Sequence, residues 1–120
     1  MSTAMNTELT VAVWPGLTPR LLRAERGTES LEHYLSSGGY SALADAEVLL
    51  EETRRAGVLG RGGAAFPLAV KLTTVRAASQ RGRDTVLVAN GEEGEPASVK
   101  DRWLLRHRPH LVLDGLRLAA

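Results

Sequence analysis

The sequence predicts an α/β fold in which a short parallel sheet is flanked by helices and is incomplete within the 120 residues. First, residues 85–90, "TVLVAN", form a continuous apolar run between turn residues, which is the pattern of a strand buried on both faces. Second, helical patterns stand before and after this run, and such alternation is typical of α/β domains. Third, the last helical pattern stays apolar up to Ala120, so we expect a chain that lacks the remaining half of its domain.

Length and composition limit the possible classes of protein. The chain holds one domain at most, and its 43% of apolar residues suffices for a hydrophobic core. It contains no cysteine, which excludes disulfides and any zinc or iron–sulfur site held by cysteines of these residues. The N-terminus lacks the pattern of a signal peptide, and no apolar stretch is long enough to cross a bilayer. We therefore expect a cytoplasmic protein without direct membrane insertion.

The charge is divided unevenly along the chain. Residues 1–53 contain three arginines and eight acidic residues, whereas residues 54–120 contain twelve basic and six acidic residues. The basic second half favours an anionic partner, although solvated surface arginines explain it equally well. Only Trp103 interleaves with the arginines, so platforms for base stacking are scarce and we expect no nucleic-acid partner.

The first part of the chain is predicted to be an extension followed by the start of the domain. Residues 1–30 form the N-terminal extension, with a short strand at 9–14, "LTVAVW", which is rich in strand-forming residues. The domain then occupies residues 31–120. Its first helix, "ESLEHYLSSGGY", ends at the glycine pair 38–39, since glycine is the usual residue after a helix C-terminus.

Four further helices follow from capping and breaking residues. The second, "ALADAEVLLEETRRA", is predicted to begin after Ser41 and to end at Gly57. The third covers residues 64 to about 78, with Pro67 tolerated in its first turn. After the predicted strand and the loop "GEEGEP", the stretches "SVKDRWLLRH" and "PHLVLDGLRLAA" form two helices, the second opened by Pro109.

The glycine-rich stretch "GVLGRGGAAFPLAVK" indicates a phosphate site. Residues 60–65 match the dinucleotide string G-x-G-x-x-A, but they follow a helix, whereas that fingerprint must follow a strand. The backbone N–H groups of Gly62 and Gly63 precede a helix start, where an anion is stabilised. Lys71 lies about two turns further on and can add a full positive charge. The alternative is a plain turn with an exposed lysine.

The acidic stretch "VLVANGEEGEP" indicates acceptors for hydroxyl groups. Asn90 follows the predicted strand directly, where ligands bind in open α/β sheets. Glu92, Glu93 and Glu95 come next, and carboxylates accept hydrogen bonds from ribityl or ribose hydroxyls. Together with a phosphate site, such acceptors suit a nucleotide-like ligand such as a flavin. Solvated turn residues without a role are the alternative.

No metal site is predicted. The three glutamates lack the spacing of a calcium loop, so a hard cation is a minor alternative. The stretch "HRPH" holds His107 and His110, which we interpret as surface or core histidines because no cysteine accompanies them.

Three blocks resemble one known family in order and spacing: "AGVLGRGGAAFPLAVK", "VLVANGEEGEPASVKDRWLL" and "RPHLVLDGLRLAA". The family is the flavin-binding 51 kDa subunit of NADH-quinone oxidoreductase (respiratory complex I), with related NAD-linked hydrogenases and formate dehydrogenases. The resemblance runs from about residue 31 to 120 and is strongest after 57. It implies part of an FMN-binding domain, which takes hydride from NADH onto FMN and passes electrons to iron–sulfur clusters or quinone.

The resemblance also implies which residues bind the two nucleotides. The predicted FMN contacts are Gly60, Arg61, Gly62, Gly63, Lys71, Asn90, Glu92 and Gly94. The predicted NADH contacts are Phe66, Glu93 and Glu95. No residue is expected to act as a general acid or base, because hydride transfer depends on alignment with the flavin.

The sequence departs from the family at informative places. Ala65 replaces a glycine of the family form, and Thr74 replaces an aromatic residue that could stack on NADH. The iron–sulfur region of the family lies beyond residue 120, so clusters are expected only in a full-length parent. We expect other oxidoreductase subunits or a missing C-terminal half as partners. The alternative is a non-catalytic remnant or assembly module that contacts proteins through its final apolar helix.

Overall fold

The computed structural model contains five helices among the residues that it describes. These residues are 11–12, 14–17, 21–22, 27–42, 45–61 and 63–120. The helices are α1 (Leu31–Ser36), α2 (Ala46–Arg55), α3 (Leu68–Ser79), α4 (Lys100–His107) and α5 (Pro109–Ala119).

The predicted α/β class is wrong, because the described residues form helices and no strand or sheet. Residues 85–90, predicted as a buried strand, lie outside the helices and are exposed throughout. The nearest approach to a sheet in this part of the chain is one isolated antiparallel bridge between Leu59 and Pro67. A continuous apolar run becomes a buried strand only where other strands and helices cover it, and none of the described elements covers residues 85–90. The strand predicted at 9–14 lies partly outside the described residues.

Helices α2 and α3 pack against each other and form one helical pair. Leu50 of α2 and Ala69 of α3 are buried. Helix α2 begins at Ala46 rather than after Ser41, because the carboxylate of Asp45 accepts hydrogen bonds from two first-turn amides. Helix α3 begins at Leu68, four residues later than predicted, with Pro67 as its N-cap.

The surfaces of α2 and α3 carry several ion pairs. Glu47 of α2 lies 2.7 Å from Arg76 of α3, which joins the two helices at their solvent-facing side. Within α2, Glu51 pairs with Arg54, and Glu52 lies 2.8 Å from Arg55. These pairs are exposed, so each contributes little to stability.

Helices α1, α4 and α5 form a second cluster around buried polar groups. The hydroxyl of Tyr34 in α1 donates to Asp114 of α5 over 2.9 Å, and the backbone N–H of Tyr40 donates to the same oxygen over 2.8 Å. The other oxygen of Asp114 accepts from Arg117. The rings of Tyr34 and Tyr40 meet edge to face at 5.1 Å. Asp114 therefore holds α1 and the following turn onto α5.

The contacts around Asp114 shift the pKa of Tyr34 and of Asp114 itself. Burial, followed by the hydrogen bond to Asp114, raises the pKa of Tyr34 to about 12. Burial alone would raise the pKa of Asp114, but the N–H of Tyr40, the hydroxyl of Tyr34 and the guanidinium of Arg117 lower it below its usual range.

The junction between α4 and α5 binds the segment before α1. Arg108, whose side chain is 6% exposed, lies 3.3 Å from the carboxylate of Glu29, which is 5% exposed. The same guanidinium donates to the carbonyl of Leu21 over 2.8 Å. The backbone N–H of Glu29 in turn donates to the carbonyl of His107. Part of the predicted N-terminal extension is thus bound to the last two helices.

Candidate functional site

The glycine loop, residues 57–67, is closed by its own backbone. The N–H of Gly60 donates to the carbonyl of Phe66 over 2.8 Å, and the N–H of Leu68 donates to the carbonyl of Val58 over 2.9 Å. These bonds flank the Leu59–Pro67 bridge. Residues 61 and 63–65 therefore belong to a loop tip at the base of the α2–α3 pair.

The loop tip leaves donors available to a ligand. The amide of Gly60 is engaged in closing the loop, whereas those of Arg61 and Gly63 make no hydrogen bond among the described residues. Gly63 has a φ of +91°, and Ala65 has a φ of +49°. Backbone turns of this kind orient successive N–H groups outward and create concavities for anions. Gly62 lies outside the described residues.

Lys71 and Phe66 stand together beside the loop tip. The ammonium nitrogen of Lys71 lies 6.0 Å from the centroid of the Phe66 ring, at the limit of a cation–π contact. Both side chains are exposed, and 46% of Phe66 is accessible. A positive charge and an aromatic face therefore flank the available amides.

A groove borders the base of the glycine loop. Its volume is about 520 Å³, and its lining includes Val58 and Pro67 of the loop. Three threonines from the two helices, Thr53, Thr73 and Thr74, line the rest together with apolar side chains. Each threonine hydroxyl donates to a helix carbonyl one turn before it, so these hydroxyls are already engaged.

The acidic loop, residues 90–96, begins with a tight turn. The side-chain oxygen of Asn90 accepts from the N–H of Glu92 over 3.0 Å, which is the pattern of an Asx turn. A Cβ on Gly94 would lie 3.2 Å from a carboxylate oxygen of Glu92. Glycine at 94 therefore lets the carboxylate of Glu92 approach the backbone closely. Glu92 and Glu95 are exposed and able to accept hydrogen bonds from a ligand.

Glu93 differs from its acidic neighbours because it caps helix α4. Its side chain is only 5% exposed. The carboxylate accepts from the N–H of Asp101 over 2.7 Å, from that of Arg102 over 3.2 Å and from the hydroxyl of Ser98 over 3.1 Å. Val99, at the N-cap position, supplies no side-chain acceptor, so Glu93 takes over that task from six residues upstream.

The capping role of Glu93 lowers the pKa of its carboxyl group. Burial alone would raise the pKa of Glu93. The two helix N–H groups, the hydroxyl of Ser98 and the ammonium of Lys100 outweigh burial and lower the pKa below its ordinary value of 4.5. Sequence reasoning predicted an NADH contact at this position and did not identify the cap.

The predicted site residues fall into two groups. The first group lies in or just after the glycine loop and comprises Gly60, Arg61, Gly63, Phe66 and Lys71. The second group is the acidic loop with its members Asn90, Glu92, Glu93, Gly94 and Glu95. No hydrogen bond, ion pair or ring contact joins the two loops within the described part of the chain.

The histidines of "HRPH" take part in separate contacts. His107 lies against Trp103, with ring centroids 4.8 Å apart, and its Nδ1 is 2.9 Å from the carbonyl of Gly27. His110 has its Nδ1 3.2 Å from the hydroxyl of Tyr40. Across the described ranges, no three His, Asp or Glu side chains are grouped so as to hold a metal ion. None of the five helices has the length and apolar character that a bilayer crossing requires.

Comparison with protein families identifies the class of domain. Residues 53–120 match the family model of the Nuo51 FMN-binding domain, which is more than half of the chain. The chain therefore belongs to the Nuo51 FMN-binding domain family. This result confirms the resemblance to the 51 kDa flavoprotein of complex I.

Individual relatives agree with the family match. The chain is 41% identical over 71 residues to the mitochondrial NADH dehydrogenase (ubiquinone) flavoprotein 1 of Dictyostelium discoideum, covering 59% of this chain and 15% of the relative. It is 39% identical over 71 residues to a subunit of the NADH-quinone oxidoreductase of Rhodobacter capsulatus, covering 59% and 16%. With an NADH-quinone oxidoreductase subunit of Rhizobium meliloti, 35% identity extends over 96 residues, covering 75% and 22%.

The chain spans about a fifth or less of the length of these relatives. No solved structure matches it.

Proposed function

We propose that this chain is the FMN-binding portion of an NADH dehydrogenase-type flavoprotein. In this proposal bound FMN accepts hydride from NADH, and its electrons leave for iron–sulfur clusters or quinone outside these 120 residues. The observation that carries the proposal is the loop tip with available amides at Arg61 and Gly63 beside the ammonium of Lys71, in a chain of the Nuo51 FMN-binding domain family. Other oxidoreductase subunits are the proposed partners, at the inner face of a membrane.

The glycine loop suits the phosphate of FMN. Available amides and a nearby ammonium are the donors that phosphate requires, and the missing Cβ atoms at Gly62 and Gly63 allow close approach. Arg61 adds a second cation at the same tip. Gly60 contributes indirectly, because its amide closes the loop that presents the other donors.

The acidic loop suits the hydroxyl groups of the two nucleotides. Asn90, Glu92 and Gly94 form one turn, and we assign them to the ribityl chain of FMN. The exposed ring of Phe66 can stack on the adenine of NADH, and Glu95 can accept a ribose hydroxyl. Glu93 is engaged with α4, so we assign it the task of holding this loop beside the NADH position.

The phosphate assignment can be tested by comparing FMN with riboflavin, which lacks the phosphate. The full chain is titrated into each ligand, and binding is followed by quenching of flavin fluorescence. Lys71→Ala removes a charged donor, so FMN affinity should fall by roughly tenfold or more, while riboflavin affinity stays constant. Arg55→Ala is the matched control, since it also removes an exposed positive charge, at the end of α2.

Two results would contradict this assignment. One is equal affinity of the unaltered chain for FMN and riboflavin, because the phosphate would then contribute nothing. The other is an Arg55→Ala variant that loses as much FMN affinity as Lys71→Ala, because net charge rather than a site would then explain the effect.

A further inference from the structure

We propose that Asn90 and Gly91 form a site of spontaneous covalent modification, in which the side chain of Asn90 loses ammonia and becomes aspartate or isoaspartate. The chain holds one other asparagine, Asn6, and threonine follows it. The site lies in the acidic loop, so its effect on FMN binding rests on the proposed function, whereas the reaction itself does not.

Two steps convert Asn90 into an acidic residue. The backbone nitrogen of Gly91 loses its proton and attacks Cγ of Asn90, and the side-chain nitrogen leaves with a proton as ammonia. The new nitrogen–carbon bond closes a five-membered imide ring. Water then adds to one of the two ring carbonyls, which gives aspartate or isoaspartate according to the side on which the ring opens. Asparagine and water thus yield an acidic residue and ammonia, without oxidation or reduction.

Glycine after the asparagine favours the first step. A Cβ on this residue would crowd the approach of its backbone nitrogen to Cγ of Asn90, and Gly91 has none. Glycine also gives the backbone the rotational freedom that ring closure requires. The N–H of Gly91 makes no hydrogen bond within the described ranges, so no partner has to be given up before the attack.

The turn at Asn90 orients and polarises its side-chain carbonyl. The Oδ1 of Asn90 accepts from the N–H of Glu92 over 3.0 Å, which holds the side chain beside the backbone of the next two residues. This oxygen carries negative charge in the tetrahedral intermediate, and an N–H already directed at it stabilises that charge. Proximity and an oriented donor both accelerate acyl transfer within one molecule. The local structure of the loop therefore promotes the reaction.

Modification changes both the charge and the shape of the acidic loop. A carboxylate at position 90 stands beside that of Glu92, and the two repel each other. Isoaspartate in addition lengthens the main chain by one methylene group. Gly91 lies tightly against α4, since a Cβ on it would be 3.0 Å from Cδ1 of Leu105. A longer main chain at this point displaces the loop from α4, so the isoaspartate form should bind FMN weakly.

Ageing of the full chain without FMN tests the site. The protein is kept folded at mildly alkaline pH, where the amide loses its proton more readily, and peptide mass spectrometry follows the mass gain from replacement of NH₂ by OH. Asn90 should convert to a mixture of aspartate and isoaspartate, whereas Asn6 should convert roughly tenfold or more slowly, because threonine is branched at Cβ. Equal rates at the two asparagines would overturn the proposal.

Two glycine variants test the role of the neighbouring residue. Gly91→Ala should slow the conversion of Asn90 by roughly tenfold or more, and the flexible end of Leu105 can move to admit the added Cβ. Gly115→Ala, on α5, is the matched control, because a Cβ there meets nothing within 4 Å. The control should leave the rate unchanged. A rate in Gly91→Ala equal to that of the unaltered chain would contradict the mechanism.

A synthetic peptide of residues 87–96 separates the effect of the turn from that of the sequence. Under the same conditions the folded chain should convert at least as fast as the peptide, because the turn orients the carbonyl of Asn90. A folded chain that converts roughly tenfold or more slowly than the peptide would show that the turn protects Asn90, which would overturn the proposal.

Separation of the aged forms by ion exchange tests the consequence for flavin. The isoaspartate form should bind FMN roughly tenfold or more weakly than the fresh chain, measured by quenching of flavin fluorescence. Equal affinity would contradict the displacement of the loop. Failure of the fresh chain to bind FMN would contradict the proposed function alone, because the mass gain at Asn90 is measured without flavin.

Discussion

Ala65 holds a backbone conformation that favours glycine. Its φ of +49° lies in the left-handed region, which costs an L-residue with a Cβ roughly 1–2 kcal/mol. The family form that the sequence resembles has glycine at this position. Ala65 therefore adopts, at a cost in free energy, a left-handed backbone conformation that glycine adopts more easily.

Ala65→Gly should stabilise the chain by about 0.5–1 kcal/mol, because removal of the strain outweighs the extra freedom of glycine in the unfolded chain. Chemical denaturation with urea measures the change. Ala64→Gly is the matched control, since Ala64 is not in the left-handed region, and that change should destabilise by about 0.5–1 kcal/mol. If both variants lose stability, Ala65 is not strained in solution.

At the scale of elements, helix α4 depends on a residue outside itself. Neither its N-cap residue Val99 nor its first turn supplies a capping side chain, and Glu93 does so from the acidic loop. The same contact fixes the acidic loop against α4. The folded helix and the shape of the candidate site are thus linked through one carboxylate.

Glu93→Gln should lower the midpoint of thermal unfolding at neutral pH and reduce its dependence on acidity. The folded state lowers the pKa of Glu93 below 4.5, so its ionised form stabilises the fold above that pH. This stabilisation is lost as the pH falls through the folded-state pKa. Thermal unfolding between neutral pH and about pH 3 measures the effect.

Glu95→Gln is the control for this pH dependence, since Glu95 is exposed and its carboxylate makes no hydrogen bond or ion pair with a described residue. Its unfolding midpoint should follow that of the unaltered chain at each pH. An unaltered pH profile for Glu93→Gln would show that the cap does not hold in solution.

Sequence reasoning succeeds for elements that local signals determine. The existence of α2 and α3 was predicted from local signals, with Gly57 after the end of α2 and Pro67 in the first turn of the third helix, although α3 begins four residues later than predicted. It failed for the start of α2, because Asp45 caps that helix more effectively than Ser41 was expected to do. The capping role of Glu93 could not be predicted from the sequence, because a cap six residues from the N-cap position leaves no local pattern.

At the scale of the whole molecule, few of the described residues are buried, and two of the buried ones, Arg108 and Asp114, are charged. The Cα radius of gyration is 17.0 Å, whereas a compact domain of this length has about 14 Å. The predicted sheet failed for the same reason, since a buried strand requires neighbours that no local pattern provides. Family membership was predictable because three motifs agreed in order.

Arg108 should be the most sensitive position for the whole molecule, because it binds the segment before α1 to the last two helices. Arg108→Leu leaves the carboxylate of Glu29 buried without this cation, so stability should fall by about 3 kcal/mol or more. Urea denaturation measures the loss. The double variant Arg108→Leu with Glu29→Leu should recover much of it, since neither charge of the pair then remains.

The control for Arg108 is Arg106→Leu, on the exposed side of α4 just before the junction. That change should stay within about 0.5 kcal/mol of the unaltered chain. Equal losses for Arg106→Leu and Arg108→Leu would exclude a special role for the buried ion pair.

The bond between Tyr34 and Asp114 has a consequence for how the first and last helices stay attached. The pKa of Tyr34 is raised to about 12, so its phenol loses a proton only near that pH. The pKa of Asp114 is lowered, so its carboxylate gains a proton only at a pH below the usual range of an aspartate. Between these two pH limits Tyr34 stays protonated and Asp114 stays ionised, so pH changes within this range leave the hydrogen bond between α1 and α5 intact.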